Sequence, residues 1–442
     1  MPDSGGALCQ ISAVDLFPPE GEDLWGFHVD APHAGAAYDS FAFDVRGWVL
    51  GRRERVTAVE LKDGARLLWR VPTQIERPEL AQDYPEARDI GAAGFFTVVN
   101  SLNLGREFEI LLRARLDDAS RVNMAMLRGR REPLRTSFEP AIDPLMVTTL
   151  GRTGSTILMK VLATHPEIVA YRPFEHEPRV ASYWLGVMNT LTDPVSYRRQ
   201  INPTGNIDGS WWLGTKTPLP RRLRDPHLTH WLDVDAVGEI ATFCQSRIEA
   251  LYREAAADAG IRAPRYFAEK FRPDRIPDMT HELYPRAREV ILVRDFRDMV
   301  ASMFAYNTKR GREGFRRELF EDDAAYVVKE IKGGVASLAA TWNARRDTAH
   351  LVRYEDLLLD PQNTIDALLG YLGLEGGRHA EAMATALSAR DPETEFHRTT
   401  PDPRASIGRW REDLSEGARR ACEEALAPEL KAFGYTLEEA AV

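Results

Sequence analysis

Cysteine is scarce: Cys9, Cys244 and Cys422 are the chain's three, too far apart to form a CxxC pair. That spacing excludes a cysteine-built zinc site and a disulfide framework, so a reducing, cytoplasmic setting is the expectation. Long hydrophobic runs are missing too, and no stretch approaches the roughly 18 apolar residues of a membrane span. The first residues, Met1-Pro2-Asp3-Ser4, lack the basic and apolar regions of a secretory signal. There is no surplus of basic residues. The formal net charge of -10 argues against a general nucleic-acid binder, yet leaves room for one locally basic cleft. No repeat of fixed period, low-complexity tract or metal-ligand cluster stands out, so no metal is expected.

What the chain does contain is ordinary for a globular protein, with 44% hydrophobic and 28% charged residues. Its 442 residues are long for one core, and two domains are expected. Residues 1–24 mix glycine, proline and acids without periodicity and look like a flexible lead-in. From 25 to 140 the pattern is mostly of period two. Phe41, Phe43 and Val45 alternate, then Val56, Val59 and Leu61 follow the charged turn Arg52–Arg55. Phe108, Ile110 and Leu112 continue the pattern, as does the run from Ser120 to Met126. Short strands separated by turn signals predict a smaller antiparallel β-sandwich, without a catalytic constellation.

The texture changes near Ile142-Asp143-Pro144. An apolar strand over 145–150, a glycine-bearing loop and a helix from Thr156 to Thr164 are expected. Val290 to Val293 reads as another strand, and Leu351 to Tyr354 as a third. Strands alternating with helices predict an α/β domain over 141–442, a parallel sheet with helices on both faces.

The most informative segment is Leu150-Gly151-Arg152-Thr153-Gly154-Ser155-Thr156. A strand ends, two glycines turn the chain, and hydroxyl residues open a helix whose first N–H groups favour an anion. Arg152 adds a cation, while Thr153, Ser155 and Thr156 add hydroxyl donors. The nucleotide-triphosphate motif GxxxxGK[ST] is absent, which counts against a kinase or other ATP-dependent transferase. Without further support the segment would be an ordinary strand-to-helix turn.

Gly151 to Thr156 resembles the 5'-phosphosulfate loop of sulfotransferases, commonly written Pro-Arg/Lys-Ser-Gly-Thr-Thr. Arg152 takes the basic position, Gly151 replaces proline as in many bacterial members, and His165-Pro166 follows as it often does there. The stretch from Val290 to Ser302 is similar to the family's 3'-phosphate element, with Arg294 ending a strand and Ser302 eight residues on. A guanidinium grips phosphate through two N–H groups, and a hydroxyl meets a third oxygen. Arg404-Ala405-Ser406-Ile407-Gly408-Arg409-Trp410 resembles the C-terminal segment that closes over the nucleotide. Val352 to Leu357 with Asp360-Pro361 matches a further family stretch, whose tyrosine, here Tyr354, lies near the adenine. These elements run in family order from about 145 to 435.

The resemblance implies a P-loop-like fold and a sulfuryl donor, 3'-phosphoadenosine 5'-phosphosulfate, with no metal. It also implies cations for the leaving phosphate and a base for the acceptor proton. Arg152 supplies one cation. Lys270, 24 residues before Arg294, sits where tyrosylprotein sulfotransferases place a lysine, and Lys216 in Lys-Thr-Pro competes for that role. Glu177 in Glu177-Pro178-Arg179 fits the Glu-x-Arg of the tyrosylprotein branch, with Glu175 and His176 as the other candidates for the base.

Tyr183, Trp184, Trp211, Trp212, Trp231 and Phe243 crowd the region from 180 to 250. Most are expected to pack in a core, though some could stack on an acceptor's sugar or phenol ring. The front domain resembles small sandwiches fused to carbohydrate-active enzymes, which points to a glycan or glycoconjugate acceptor. Tyrosyl or small-molecule phenol sulfation, and a non-catalytic nucleotide-binding scaffold, are the alternatives.

Overall fold

The computed structural model describes residues 6–18, 23–64, 66–87, 89–171, 177–192, 231–274, 276–312, 314–388 and 398–437. The chain forms two compact units, Met1–Ser137 with Leu185–Cys244, and Phe138–Trp184 with Gln245–Val442.

In the first unit the strands are β1 (Cys9–Leu16), β2 (Leu24–Ala31), β3 (Ala37–Tyr38), β4 (Ala42–Gly51), β5 (Val56–Asp63), β6 (Arg66–Pro72), β7 (Gly94–Asn100), β8 (Glu107–Leu116) and β9 (Arg121–Arg131). They make an antiparallel six-stranded sheet ordered β3-β1-β9-β8-β5-β6 and a three-stranded sheet ordered β2-β4-β7. One buried cluster draws on both sheets, including Val59, Leu61, Ile110 and Leu112 from the larger and Val45, Val49 and Phe95 from the smaller. Each such side chain, fully buried, stabilises the fold by about 2 kcal/mol.

The expected flexible lead-in is corrected here, because residues 9–16 form β1, with Cys9 and Ile11 essentially inaccessible. A β-bulge between Ile11 and Ala13 breaks the period-two pattern. The main partner, β9, lies more than a hundred residues away, which conceals the strand from local reading. β7 was equally hidden: Gly94–Asn100 is buried at every position and shows no alternation.

In the second unit β10 (Asp143–Thr149), β11 (Ile168–Ala170), β12 (Tyr266–Phe271), β13 (Arg288–Val293) and β14 (His350–Arg353) form one parallel sheet. The order is β11-β12-β10-β13-β14. Every residue of β10 is buried, as befits a central strand covered on both faces. Alternate residues of β13 serve different cores. Val290 and Leu292 join a cluster with helices α1 (Ser155–Leu162) and α2 (Pro361–Leu372), while Ile291 and Val293 join one with α3 (Glu416–Ala425) and Trp410. The connections from β10 and β12 lead to opposite sides of β10. Such a reversal opens a crevice beyond the strands' carboxyl ends, where ligands bind in open α/β sheets.

Among the described residues no helix is long and apolar enough to cross a membrane. All three cysteines are buried and unpaired with one another.

Candidate active site

The loop after β10 turns through two residues of left-handed backbone, Arg152 at φ 67° and Gly154 at φ 92°. Glycine is required at 154 on a second count, since a Cβ there would lie 2.3 Å from Cδ2 of Tyr354. Arg152 accepts a backbone cost of about 1 kcal/mol. Its side chain is held by Nε donating to Ser302 Oγ at 3.2 Å and by the Tyr306 ring, 4.5 Å beneath the guanidinium. The loop passes directly into α1, whose first-turn amides have no acceptor within the helix.

Arg294 follows immediately on β13. Its Nη1 donates to the Arg152 carbonyl at 3.2 Å, its Nη2 to the Ser406 carbonyl at 2.6 Å, and its plane covers the Tyr354 ring at 4.7 Å. The Nε is buried without a hydrogen-bond partner. Such an N–H costs about 1–3 kcal/mol until an acceptor completes it.

These groups line one pocket. Arg152, Arg294 and Arg398 supply cations, Ser155, Thr156, Ser302, Thr399, Thr400 and Ser406 supply hydroxyls, and Gly154, Ile157, Tyr354 and Pro403 complete the wall. No carboxylate is among these lining residues. Burial, and then the neighbouring Arg294 charge, bring the Arg152 guanidinium down to about 10. A guest carrying several negative charges would reverse that pull and satisfy Arg294 Nε. The donor set therefore fits a nucleotide bisphosphate: Arg152, Ser155, Thr156 and the α1 amides suit one phosphate end, Arg294 and Ser302 the other.

Beside the loop, Lys270 on β12 is 3% exposed and donates from Nζ to Thr156 Oγ1 at 3.1 Å and to Glu177 Oε1 at 2.9 Å. Glu177 is 39% exposed, and its other oxygen accepts from Arg179 at 3.4 Å. Lysine, hydroxyl and carboxylate thus form a chain leading away from the phosphate loop. The preceding residue, Glu269, points to the opposite face of β12. It accepts from Val180 N at 2.5 Å, Ala181 N at 3.1 Å and Tyr252 OH at 2.8 Å, tying down the helix Val180–Thr192 that follows Glu177. Burial raises its carboxyl above the ordinary range.

Several predicted positions serve the site differently from expectation. Thr153 has no exposed surface; its hydroxyl lies within hydrogen-bond distance of Thr149 Oγ1 at 2.5 Å and of the Leu150 carbonyl at 2.9 Å, stiffening the turn rather than lining the pocket. In the C-terminal segment only Ser406 reaches the pocket wall. Gly408 N and Trp410 N donate to the Asp298 carboxylate at 2.7 and 3.0 Å, and the Trp410 ring is core, 1% exposed between Arg297 and Arg411. Arg404 Nε donates to the Leu358 carbonyl, while Arg409 pairs with Asp413 and donates to Thr399 Oγ1. The segment frames the pocket through its backbone. His165 is buried in the turn after α1, its ring 5.0 Å from that of His379.

Glu175, His176, Lys216, Trp211 and Trp212 lie outside the described residues. Tyr183, Trp231 and Phe243 are each more than half exposed, against the expectation of core packing, and Trp184 is half-buried. Pocket residues missed in the sequence are Ile157, Arg398, Thr399, Thr400 and Pro403, the last four in one segment. The string Arg-Thr-Thr, a cation followed by two hydroxyls, was that segment's available signal. Among the described residues no group of three His, Cys, Asp or Glu could hold a metal ion.

The family model described as Sulfotransferase family matches residues 144–377, just over half of the chain. Over 100 residues the chain is 35% identical to carbohydrate sulfotransferase 7 of Mus musculus, covering 22% of this chain and 20% of that protein. The Rattus norvegicus protein of the same name matches to the same extent. The chain therefore aligns with about a fifth of the length of these curated relatives. Among solved structures, the sulfotransferase domain from the Synechococcus PCC 7002 olefin synthase is similar with a TM-score of 0.39 and 18% identity, covering 70% of this chain and 100% of that one. Mouse sulfotransferase SULT7A1 complexed with PAP gives a TM-score of 0.36 and 15% identity, covering 67% of this chain and 86% of that one.

Proposed function

Because the chain belongs to the sulfotransferase family, we propose that it moves a sulfuryl group from 3'-phosphoadenosine 5'-phosphosulfate to a hydroxyl or amine of a glycan or glycoconjugate. One observation carries the reading. Three segments far apart in sequence, bearing Arg152, Arg294 and Ser406, meet in a single cationic pocket, with Lys270 and Glu177 beside its phosphate loop. The carbohydrate acceptor is supported by the name borne by the mammalian relatives.

The donor, when bound, supplies a sulfuryl group on a phosphate oxygen, and that oxygen leaves with the electron pair of the broken S–O bond. Arg152, Lys270 and the first amides of α1 stabilise the charge gathering there, the kind of preorganised electrostatics that dominates such transfers. Glu177 takes the acceptor's proton as the new O–S bond forms. Its contact with Lys270 joins base and cation in one hydrogen-bonded chain, holding both on the same side of the loop. Arg294 and Ser302 hold the 3'-phosphate.

The two antiparallel sheets of the front unit are read as a sandwich, since one buried cluster draws on both. A cytoplasmic site of action is part of the proposal. Transfer of radiolabelled sulfate from the donor onto an acceptor panel of glycans, tyrosyl peptides and phenols tests it. Labelling of a glycan is the expected result. Labelling of peptide or phenol alone overturns the acceptor, and labelling of nothing, despite nucleotide binding, favours a scaffold.

A further inference from the structure

The outer face of the six-stranded sheet carries a feature that the proposed transfer does not use. Cross-strand pairing places Arg70 opposite Glu60, Glu60 opposite Arg113, and Arg113 opposite Asn123. One row along, Arg115 stands opposite Arg121. Neighbours on these strands, Val59, Leu61, Leu112 and Ala114, point the other way into the core, so the charged row faces outward.

Glu60 is 2% exposed and already saturated. Its Oε1 accepts from Arg70 Nη2 at 2.9 Å, and its Oε2 from Arg113 Nη2 at 2.7 Å and Arg121 Nε at 3.3 Å. Burial pushes its carboxyl up, but the hydrogen bonds from Arg113 and Arg70 outweigh burial and hold it at about 2, so it stays ionised. Three arginines, Arg70, Arg113 and Arg121, share this one carboxylate, and Arg115 stands opposite Arg121 on the same face. The Nε atoms of Arg113 and Arg115 are buried with no hydrogen-bond partner. In a chain of net charge -10, a surplus of three positive charges is thus concentrated on one small face. The exposed Asp117–Asp118 turn marks its edge. Farther along the same sheet Arg128 is paired to Asp15 and Glu109, and Arg130 donates to Gln10.

We propose that this arginine patch binds a sulfated polysaccharide, whose sulfates accept from the guanidinium N–H groups left over by Glu60. Neighbouring strands are about 4.8 Å apart and alternate residues about 6.8 Å apart along a strand, so the four arginines offer fork-shaped donors to several sulfates at once. The confined surplus suits a short run of sulfates better than a long duplex, and the overall negative charge disfavours nucleic acid. The choice of a glycan rests on the proposed acceptor class; the anion-binding patch stands independently of it. The patch would hold a charged chain on the front unit while other sugars are modified.

The test is calorimetry of the full chain with a heparin hexasaccharide, in the presence of saturating 3'-phosphoadenosine 5'-phosphate. The comparison variants are Arg115→Glu, which leaves Glu60 its three partners, and Arg121→Ala. Wild type binds with an affinity that falls as salt rises, and Arg115→Glu weakens it about tenfold or more. Arg128→Ala and nucleotide affinity serve as controls and stay unchanged. Equal heparin affinity in wild type and Arg115→Glu overturns the site, as does tighter binding of a duplex DNA of matched charge. Loss of nucleotide binding in wild type sinks the transferase reading while leaving the heparin comparison intact.

Discussion

Lys270 Nζ lies 2.9 Å from Glu177 Oε1, although 93 residues separate them in the chain. The same ammonium reaches Thr156 in the first turn of the phosphate-loop helix. Glu177, Lys270 and the loop's helix are thereby joined in one hydrogen-bonded chain, which in the proposed transfer keeps base and cation beside the same loop.

Glu177→Gln keeps the shape of that line but removes the proton acceptor. Turnover should fall by about a hundredfold or more while affinity for 3'-phosphoadenosine 5'-phosphate stays at the wild-type value. Single-turnover kinetics beside calorimetry separates the two, and unimpaired turnover would move the base to another residue.

Arg294→Ala removes the guanidinium whose buried Nε lacks a partner. Nucleotide affinity should drop at least about tenfold, the scale of one charge-assisted contact. Arg294→Lys should recover only part of it, because an ammonium cannot supply the planar fork. Arg152→Ala should cost a similar factor. Wild-type affinity in both alanine variants would reject the phosphate assignments.

At Gly154 an added methyl group meets the Tyr354 ring at 2.3 Å on a backbone with φ 92°. Gly154→Ala should lower unfolding free energy by about 2 kcal/mol and weaken nucleotide binding as the loop shifts. Urea denaturation and calorimetry read the two effects, and a variant indistinguishable from wild type would show that the turn has room.

Asp298 carries the clearest pH prediction. Burial lifts its carboxyl from 3.8 to about 6, against the pull of the Gly408 and Trp410 amides. The folded chain therefore binds this proton more tightly than the unfolded chain does. Stability falls as pH rises from about 4 to about 6 and levels off above, by about 3 kcal/mol for this group alone. Urea unfolding of wild type and Asp298→Asn across that window should show the difference shrinking at acid pH. Parallel curves would remove Asp298 as the source. The variant should also bind nucleotide less well, because Asp298 fastens the segment that brings Ser406 to Arg294.

Much of the pocket was legible because its parts are local. A strand end, a glycine turn and a helix start are neighbours in the chain, as Leu150 to Thr156 shows, and backbone sterics and helix-end polarity act over that range. The Arg294–Ser302 spacing was legible for the same reason. The fate of Trp410 was not, since only packing against Arg297 made it core rather than pocket wall. β1 escaped because a bulge broke its alternation and its main partner lay far along the chain.

From the sequence alone came the α/β class, the anion-seeking turn at residues 151–156 and the cations able to serve it. Tertiary structure decided which of these meet: that Lys270 touches Glu177, that Asp298 ties down the segment carrying Ser406, and that three arginines share Glu60. The physical reason is range. Backbone preference acts between near neighbours, whereas cross-strand pairing and the hydrogen bonds of buried charges join residues that only the folded sheet brings together.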